Sequence, residues 1–263
     1  MRSPAFVETT IRTMTEPYDV PALRRTEDVL QHLAASRSPL KASDLLAATG
    51  LSKSTLYLLL ESLERRRWIE RSGDGYIVGV RLFELGSAYL RHDGLQDAFR
   101  TAASTFVGKH NEVVQMAVLD GAEVVYMARE DPKRPVRLVS DIGTRLPAHC
   151  SALGKAILAQ MDDADVIALL PSTLSAFTEH TITRLPQLLK VLAQVRSAGV
   201  AVDVEEVSAG LHCFAAYVGM TAMGRRVAVS TSVPVERIDA RREKQLAVGI
   251  VQLAQQIGAR IAR

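Results

Sequence analysis

The sequence contains few aromatic residues, only two cysteines and no long apolar run. Aromatic side chains make up 5% of the residues although 48% are hydrophobic, so a core must be built mainly from aliphatic side chains. Cys150 and Cys213 are too few to form the disulfide framework of a secreted domain, so reduced thiols are expected. Because no eighteen-residue apolar run and no signal-peptide core are found, we expect a cytoplasmic protein that does not enter a membrane.

Length and charge point to a two-domain protein without a dominant charge of either sign. The 263 residues are more than one typical domain requires and suit two domains. With 32 basic and 29 acidic residues, the formal net charge is only +3. Net charge alone therefore does not indicate a nucleic-acid partner, and that question depends on where the charged side chains lie.

The first part of the chain predicts three helices after an irregular arm. Residues 1–20 show no periodicity and predict a flexible N-terminal arm. From residue 21 onward, apolar residues recur on one helical face, namely Leu23, Val29, Leu30 and Leu33. A second, short helix over residues 41–48 stops before Gly50, and Ser52 is a good N-cap for a third helix over residues 53–67.

A predicted hairpin completes the first domain. Residues 68–71 and 76–78 are typical of short strands, and the Ser-Gly-Asp-Gly segment at residues 72–75 favours a tight turn between them. Three helices followed by a hairpin predict a winged helix-turn-helix over residues 21–79. Residues 80–93 predict an amphipathic linker helix, which would also suit a dimer contact.

The remaining residues, 94–263, predict an α+β domain. Strand pairs joined by short turns and flanked by helices indicate an antiparallel sheet rather than a doubly wound one. The predicted strands cover residues 113–119, 124–129, 136–140, 200–205, 212–219 and 226–233. The predicted helices cover residues 95–110, 152–160, 163–170, 185–197 and 241–261.

Several short motifs, taken in order, resemble those of the IclR family of transcription regulators over residues 21–263. In the first domain the matching residues are 42–45, 50–55, 59–60, 63, 76 and 79–86. In the second domain they are LPAHCSALGKA at 146–156, AVDVEE at 201–206, GLHCFAA at 210–216 and STS at 230–232. The resemblance implies a GAF-like effector-binding domain, a homodimer or a dimer of dimers, and control of a nearby operon by a metabolite.

The start of the third helix carries most of the residues that we expect to contact double-stranded DNA. A recognition helix enters the major groove and reads base edges mainly with its N-terminal residues. Hydroxyl, ammonium and guanidinium groups from this helix, from the start of helix two and from the wing can donate to bases or phosphates. The expected DNA-binding residues are Lys41, Ser52, Lys53, Ser54, Thr55, Tyr57 and Arg71. The alternative is a structural three-helix unit with a solvated polar face.

Polar residues within the apolar strands of the second domain predict a small-molecule pocket. Strand alternation puts Ser230 and Ser232 on one face, and a buried hydroxyl or carboxylate needs a hydrogen-bonding partner. Residues 149–154 are expected to open a helix whose free N–H groups would suit a carboxylate. The expected effector-binding residues are His149, Cys150, Ser151, Ala152, Gly154, Asp203, Cys213, Ser230 and Ser232. In the alternative, Cys213 is a small core residue and Asp203 caps a turn.

Metal binding and catalysis are the competing hypotheses. His149 with Cys150, and His212 with Cys213, supply donors for a metal- or thiol-dependent sensor or a nucleophilic pair for a small-molecule enzyme. Neighbours on a strand point to opposite faces, and no CxxC pair or nucleophile elbow accompanies them. We therefore expect no metal, no cofactor and no catalytic residue. The expectation is a regulator whose affinity for a pseudo-palindromic operator responds to a small organic acid.

Overall fold

The computed structural model describes residues 19–90, 94–133 and 138–261, and these fall into two compact units that divide after Tyr89. The arm predicted over residues 1–20 lies outside the described residues except for its last two positions. Among the helices of the described part, none is long and apolar enough to cross a membrane.

Three helices form the first unit: α1 (Pro21–Ala35), α2 (Ala42–Thr49) and α3 (Lys53–Arg65). Local signals set their ends. Gly50 adopts the left-handed conformation that closes α2, with φ of 64°, and the Ser52 hydroxyl accepts the Thr55 N–H at 3.3 Å to open α3. The core of this unit is aliphatic apart from Tyr76: Val29, Leu33, Leu45, Leu56, Leu60, Leu63, Ile69 and Tyr76.

Leu23 shares the predicted helical face with Val29, Leu30 and Leu33, but it does not belong to the core of this unit. Leu23 keeps 64% of its surface exposed, whereas Val29 and Leu33 are buried. It lies in the first turn of α1. Its side chain borders an open apolar groove instead of the core.

A two-stranded wing follows α3 and confirms the hairpin prediction. Strands β1 (Ile69–Ser72) and β2 (Gly75–Val78) pair antiparallel, with Ser72 opposite Gly75 across the turn. The wing is attached to the chain before α2, because Leu40 and Tyr76 exchange backbone hydrogen bonds of 3.0 and 2.8 Å. Helix α4 (Val80–Leu90) comes next in the chain. Together these elements are the winged helix-turn-helix that the sequence predicts.

The second unit contains eleven regular elements within its described residues. In chain order they are α5 (Leu95–His110), β3 (Val113–Asp120), β4 (Glu123–Glu130), β5 (Arg145–Pro147), α6 (Ala152–Leu158), α7 (Asp163–Leu169), α8 (Leu185–Ala198), β6 (Ala201–Val204), β7 (Leu211–Met220), β8 (Arg226–Pro234) and α9 (Ala240–Ile261). A short 3₁₀ turn, Val235–Arg237, precedes the last helix.

The six strands form one antiparallel sheet in the order β5-β4-β3-β8-β7-β6, which confirms the predicted α+β class. The strand predicted over residues 136–140 was wrong where it can be compared, because residues 138–140 are not in a strand and residues 136–137 lie outside the description. The edge strand β5 was not predicted, since three residues are too few for alternation to be read.

Two aliphatic cores lie on opposite faces of the sheet. Along β8, Val227 and Val229 pack on the side of α5 and α9, while Ala228 packs on the side of α6 and α8. The same alternation places Ser230 and Ser232 on the α6 side. The close approach of α6 to the preceding loop depends on Gly154, where an added Cβ would overlap the backbone of Ala148.

We expect Gly154→Ala to destabilise the second unit by about 3 kcal/mol, because a backbone cannot move aside as a flexible side chain can. Gly108→Ala is the matched control. Gly108 lies within α5 with nothing within 4 Å of its added Cβ, so this change should be neutral or stabilise by up to about 1 kcal/mol. Chemical denaturation of both variants measures the difference, and equal stability would contradict the role of Gly154.

Candidate functional site

The start of α3 presents several of the predicted DNA-binding residues to solvent. Lys53 and Ser54 are exposed, Thr55 is partly exposed, and Tyr57 keeps 47% of its surface accessible. The Lys53 ammonium lies 6.0 Å from the centre of the Tyr57 ring. Ser52 is used as the N-cap, so its hydroxyl already accepts a backbone N–H. This end of α3 therefore presents an ammonium, two hydroxyls and a phenol on one exposed turn.

The other two predicted cations, Lys41 and Arg71, each have a carboxylate partner, whereas the sequence suggested that both would be free to contact DNA. The Lys41 ammonium lies 2.6 Å from the carboxylate of Asp74 at the tip of the wing. Arg71 donates to Glu64 at 3.0 Å and lies over the Tyr76 ring at 5.1 Å. Exposed ion pairs of this kind contribute only about 0–1 kcal/mol, so a phosphate could replace either carboxylate. The pairs hold the wing against α2 and α3.

A small cavity of about 30 Å³ lies in the second unit on the α6 side of the sheet, within a depression of about 400 Å³ that includes open solvent. Strand register explains its polar lining. Asp203 on β6 is opposite Cys213 on β7, and Cys213 is opposite Ser232 on β8, so the three side chains lie in one row. The Cys213 sulfur and the Ser232 hydroxyl oxygen are 3.2 Å apart.

A second polar row crosses the sheet beside the first. Gln115 on β3 is opposite Ser230 on β8. The Gln115 amide nitrogen donates to the Ser140 hydroxyl at 3.0 Å, and that hydroxyl lies 3.2 Å from the Gln115 amide oxygen. Arg129 donates to the Ser140 carbonyl at 3.2 Å, outside the lining of the cavity. These contacts fix Gln115 as a polar wall of the cavity.

The structure brings together six of the nine predicted effector-binding residues. The lining includes Ser151, Ala152, Asp203, Cys213, Ser230 and Ser232. The Ser151 hydroxyl accepts the Gly154 N–H at 3.1 Å, so this N–H is not free to bind a carboxylate as the sequence suggested. Ala152 and Leu153, at the start of α6, reach the cavity directly.

His149, Cys150 and Gly154 do not line the cavity, which departs from the prediction. His149 is buried, and its Nε2 lies 3.0 Å from the carbonyl oxygen of Ser175. Cys150 is buried with its sulfur 3.5 Å from the Pro147 carbonyl. Gly154 is needed for close packing against Ala148. The contacts of His149 and Cys150 hold the loop before α6 in place, and Gly154 allows the first turn of α6 to pack closely against that loop.

Further lining residues were missed because most of them are apolar or lie in loops. They are Gln115, Tyr126, Leu138, Val139, Ser140, Leu146, Leu153, Val207, Ser208 and Leu211. For Gln115 a signal existed, since it is an amide within the otherwise apolar segment VVQMAV of a strand. Leu138, Val139, Ser140, Val207 and Ser208 depend on which loops reach the cavity, and the remaining four are apolar or aromatic residues of strands and of α6.

Burial controls the electrostatics of the cavity. Loss of water raises the pKa of Asp203 to about 6, while the Glu206 N–H, which donates to its Oδ1 at 2.7 Å, acts in the opposite direction. Burial also raises the pKa of the Cys213 thiol to about 12, so this thiol is neutral at physiological pH. Beneath the cavity, Lys155 and Glu206 form a buried ion pair.

The donors that suggested a metal site do not converge. His212 stacks on Phe214 with ring centres 4.5 Å apart, whereas Cys213, the next residue on the strand, lines the cavity on the opposite face. Within the described part of the chain, no three His, Cys, Asp or Glu side chains are grouped closely enough to hold a metal ion.

A winged helix-turn-helix and a separate unit with a polar-lined cavity are the features of a transcription regulator with an effector domain. The comparisons give the family. The IclR helix-turn-helix domain matches residues 22–73, and the C-terminal domain of the bacterial transcriptional regulator IclR matches residues 87–259. The chain therefore belongs to the IclR family and is a DNA-binding transcription regulator with a C-terminal effector-binding domain.

Individual relatives agree with this membership. The HTH-type transcriptional repressor AllR of Salmonella typhimurium is 31% identical over 224 residues, covering 84% of this chain and 82% of AllR. A crystal structure of a transcriptional regulator from Rhodococcus sp. RHA1 is 28% identical, with a TM-score of 0.77, covering 93% of this chain and 99% of that one.

One structural neighbour carries a small molecule. It is an IclR homologue from Microbacterium hydrocarbonoxydans complexed with 4-hydroxybenzoate. Its TM-score is 0.77 at 24% identity, covering 92% of this chain and 99% of that one. At this level of identity the likeness shows the shared fold.

We expect Asp203→Asn to stabilise the protein at pH 8. A carboxyl whose pKa rises on folding stabilises the folded state while it is protonated, and that contribution is lost as the pH rises from the ordinary value towards 6. Asparagine keeps the oxygen that accepts the Glu206 N–H and has no charge to bury. Melting temperatures at pH 5 and pH 8 measure the effect. The gain over the wild type should be larger at pH 8, and an equal difference at both pH values would contradict it.

Proposed function

We propose that the chain binds a pseudo-palindromic operator as a homodimer or a dimer of dimers, in the cytoplasm, through Lys41, Ser52, Lys53, Ser54, Thr55, Tyr57 and Arg71. The exposed turn at the start of α3 supports this assignment, because a recognition helix reads bases with such residues. Lys53 carries most of the proposal, since Lys41 and Arg71 have carboxylate partners that DNA must displace.

Exposed apolar surface in the first unit supports pairing of two copies. Phe83 and Leu85 on α4 keep 74% and 47% of their surface exposed. Leu30, Trp68 and Val78 contribute to the wall of an open apolar groove beside α1. Apolar patches of this kind on a soluble domain mark interaction sites. We propose that two winged domains pair through these residues and present two recognition helices at a fixed spacing.

The effector, we propose, is a small organic acid with one aromatic ring. The observation that carries this proposal is the convergence of Asp203, Cys213, Ser230, Ser232 and Gln115 on one cavity. Tyr126, Leu146, Leu153 and Leu211 supply apolar walls that suit a ring more than a short 2-oxo acid. The 4-hydroxybenzoate bound by the structural neighbour belongs to the same class.

Effector binding would act on operator affinity by shifting the populations of two quaternary arrangements of the dimer. Coupling of this kind is reciprocal, so operator DNA must change effector affinity by the same factor as the effector changes operator affinity. Binding without chemical change of the acid is the expected behaviour, in line with relatives that are transcriptional regulators.

Lys53→Ala should weaken binding to a DNA duplex selected by the wild-type protein from a random library by about tenfold, and lower the salt slope by about one. Lys190→Ala is the matched control, because Lys190 is an exposed lysine on α8 of the other unit. Fluorescence anisotropy at several salt concentrations measures both. If Lys53→Ala binds as tightly as Lys190→Ala, the assignment of Lys53 is wrong.

Monocyclic aromatic acids should raise the melting temperature in a dose-dependent manner, because a ligand that binds only the folded state stabilises it by mass action. The panel compares 4-hydroxybenzoate and benzoate with pyruvate and glyoxylate. At a hundredfold excess over Kd the expected rise is several degrees. Ser230→Ala should reduce the shift. A rise with the 2-oxo acids alone would contradict the aromatic assignment, and no rise with any acid would contradict the organic-acid effector.

A further inference from the structure

The lining of the cavity contains one acidic side chain and no basic one among its described residues. Among the described lining residues, Asp203 has the one carboxyl group, and none is a lysine, an arginine or a histidine. An organic acid brings a second carboxylate into the same buried space. Two carboxylates that share a site of low polarity do not both stay ionised, and one of them keeps a proton.

The groups around Asp203 do not neutralise it. Asp203 is 4% exposed, and its Oδ1 accepts the Glu206 N–H at 2.7 Å. From α6, the buried Lys155 ammonium is bonded to the Glu206 side chain, so its charge is already matched by another carboxylate. From β7 and β4, Cys213 and Tyr126 face Asp203, and burial raises the pKa of both, so they carry no charge near neutral pH.

The remaining titratable neighbour is Cys150, just before α6, and burial raises the pKa of its thiol to about 12. It too is neutral. Asp203 therefore faces uncharged thiols and a phenol, while the buried pair beside it acts both ways: Lys155 lowers the pKa of Asp203 and the Glu206 carboxylate raises it. Burial in these surroundings raises the pKa of Asp203 to about 6. At neutral pH the carboxyl is mostly ionised, and adding a proton to it costs little free energy.

We propose that the effector binds as a carboxylate together with one proton, which Asp203 takes from solvent and donates to the effector in a hydrogen bond. This inference rests on the proposed function of the cavity as the effector site. It assigns Asp203 as the residue that selects a carboxylate. It also makes the regulator respond to acidification, because the protonated, binding-competent fraction of Asp203 grows as the pH falls.

The sign and size of the effect follow from linkage. Below pH 6 most molecules already hold the proton, and affinity changes little. Above it, affinity falls about tenfold for each pH unit, which amounts to roughly fiftyfold between pH 6 and pH 8. An aromatic acid such as benzoate is ionised throughout this range, so the dependence belongs to the protein.

Isothermal titration calorimetry of the full chain with benzoate and with 4-hydroxybenzoate tests the proposal. Titrations at pH 6, 7 and 8, in buffers with different ionisation enthalpies, report both the affinity and the number of protons taken up. We expect uptake of about one proton per ligand at pH 8 for both acids. Methyl 4-hydroxybenzoate, which keeps the phenol and lacks the carboxylate, should bind with no proton uptake.

Asp203→Asn is the decisive variant. An amide donates a hydrogen bond at every pH, so its affinity for benzoate should be the same at pH 6 and pH 8 and should exceed that of the wild type at pH 8. Ser230→Ala is the matched control, since it removes one hydroxyl from the same cavity. It should bind more weakly at every pH and keep the wild-type pH dependence.

The possible outcomes separate three failures. If neither acid binds the wild type at pH 6, the proposed aromatic-acid function is overturned. If they bind with the same affinity at pH 6 and 8 and no proton uptake, the function stands and the proton inference is overturned. If Asp203→Asn keeps the wild-type pH dependence, the proton lies elsewhere, and the assignment to Asp203 is overturned. Glu206→Gln then tests the nearest other carboxyl.

Discussion

The cost of removing a few polar side chains from water is the constraint on which the second unit depends. The buried residues of the central strands are mostly aliphatic, and Asp203, Cys213, Ser232, Ser230 and Gln115 interrupt them on one face. Each needs a hydrogen-bonding partner where it is buried. Cys213 bonds Ser232 and Gln115 bonds Ser140, and the same polar side chains line the cavity.

Below this row, one buried ion pair determines the charge that the cavity presents. Lys155 comes from α6 and Glu206 from the turn between β6 and β7, 51 residues apart in sequence. A buried ion pair matches its own charges and gives little to its neighbours. Asp203 receives a backbone N–H from Glu206, and Lys155, which is bonded to Glu206, acts on it only through space. A carboxyl in that position is governed by desolvation, which is why it retains a proton more readily than an exposed aspartate.

In the first unit, an aliphatic core and exposed ion pairs fix the position of the wing relative to the helices. Its aliphatic core places α3 and the wing on one scaffold, and the ion pairs Lys41 with Asp74 and Arg71 with Glu64 hold the wing to the helices. Being exposed, these pairs contribute little to stability and are easily exchanged. In the DNA-bound state that we propose, phosphates take over from these carboxylates as partners of Lys41 and Arg71.

The sequence alone determined the class of fold, most of the elements and the family, because the signals that specify them are local. Pro21, Gly50 and Ser52 mark helix ends within a few residues, and the alternation in β8 reveals its polar face. The tertiary structure decided which residues meet. It brought Gln115 to Ser230 and Lys155 to Glu206, and it turned His149 and Gly154 away from the cavity. Such contacts depend on strand register and loop path across long sequence separations, and no local pattern of residues encodes them.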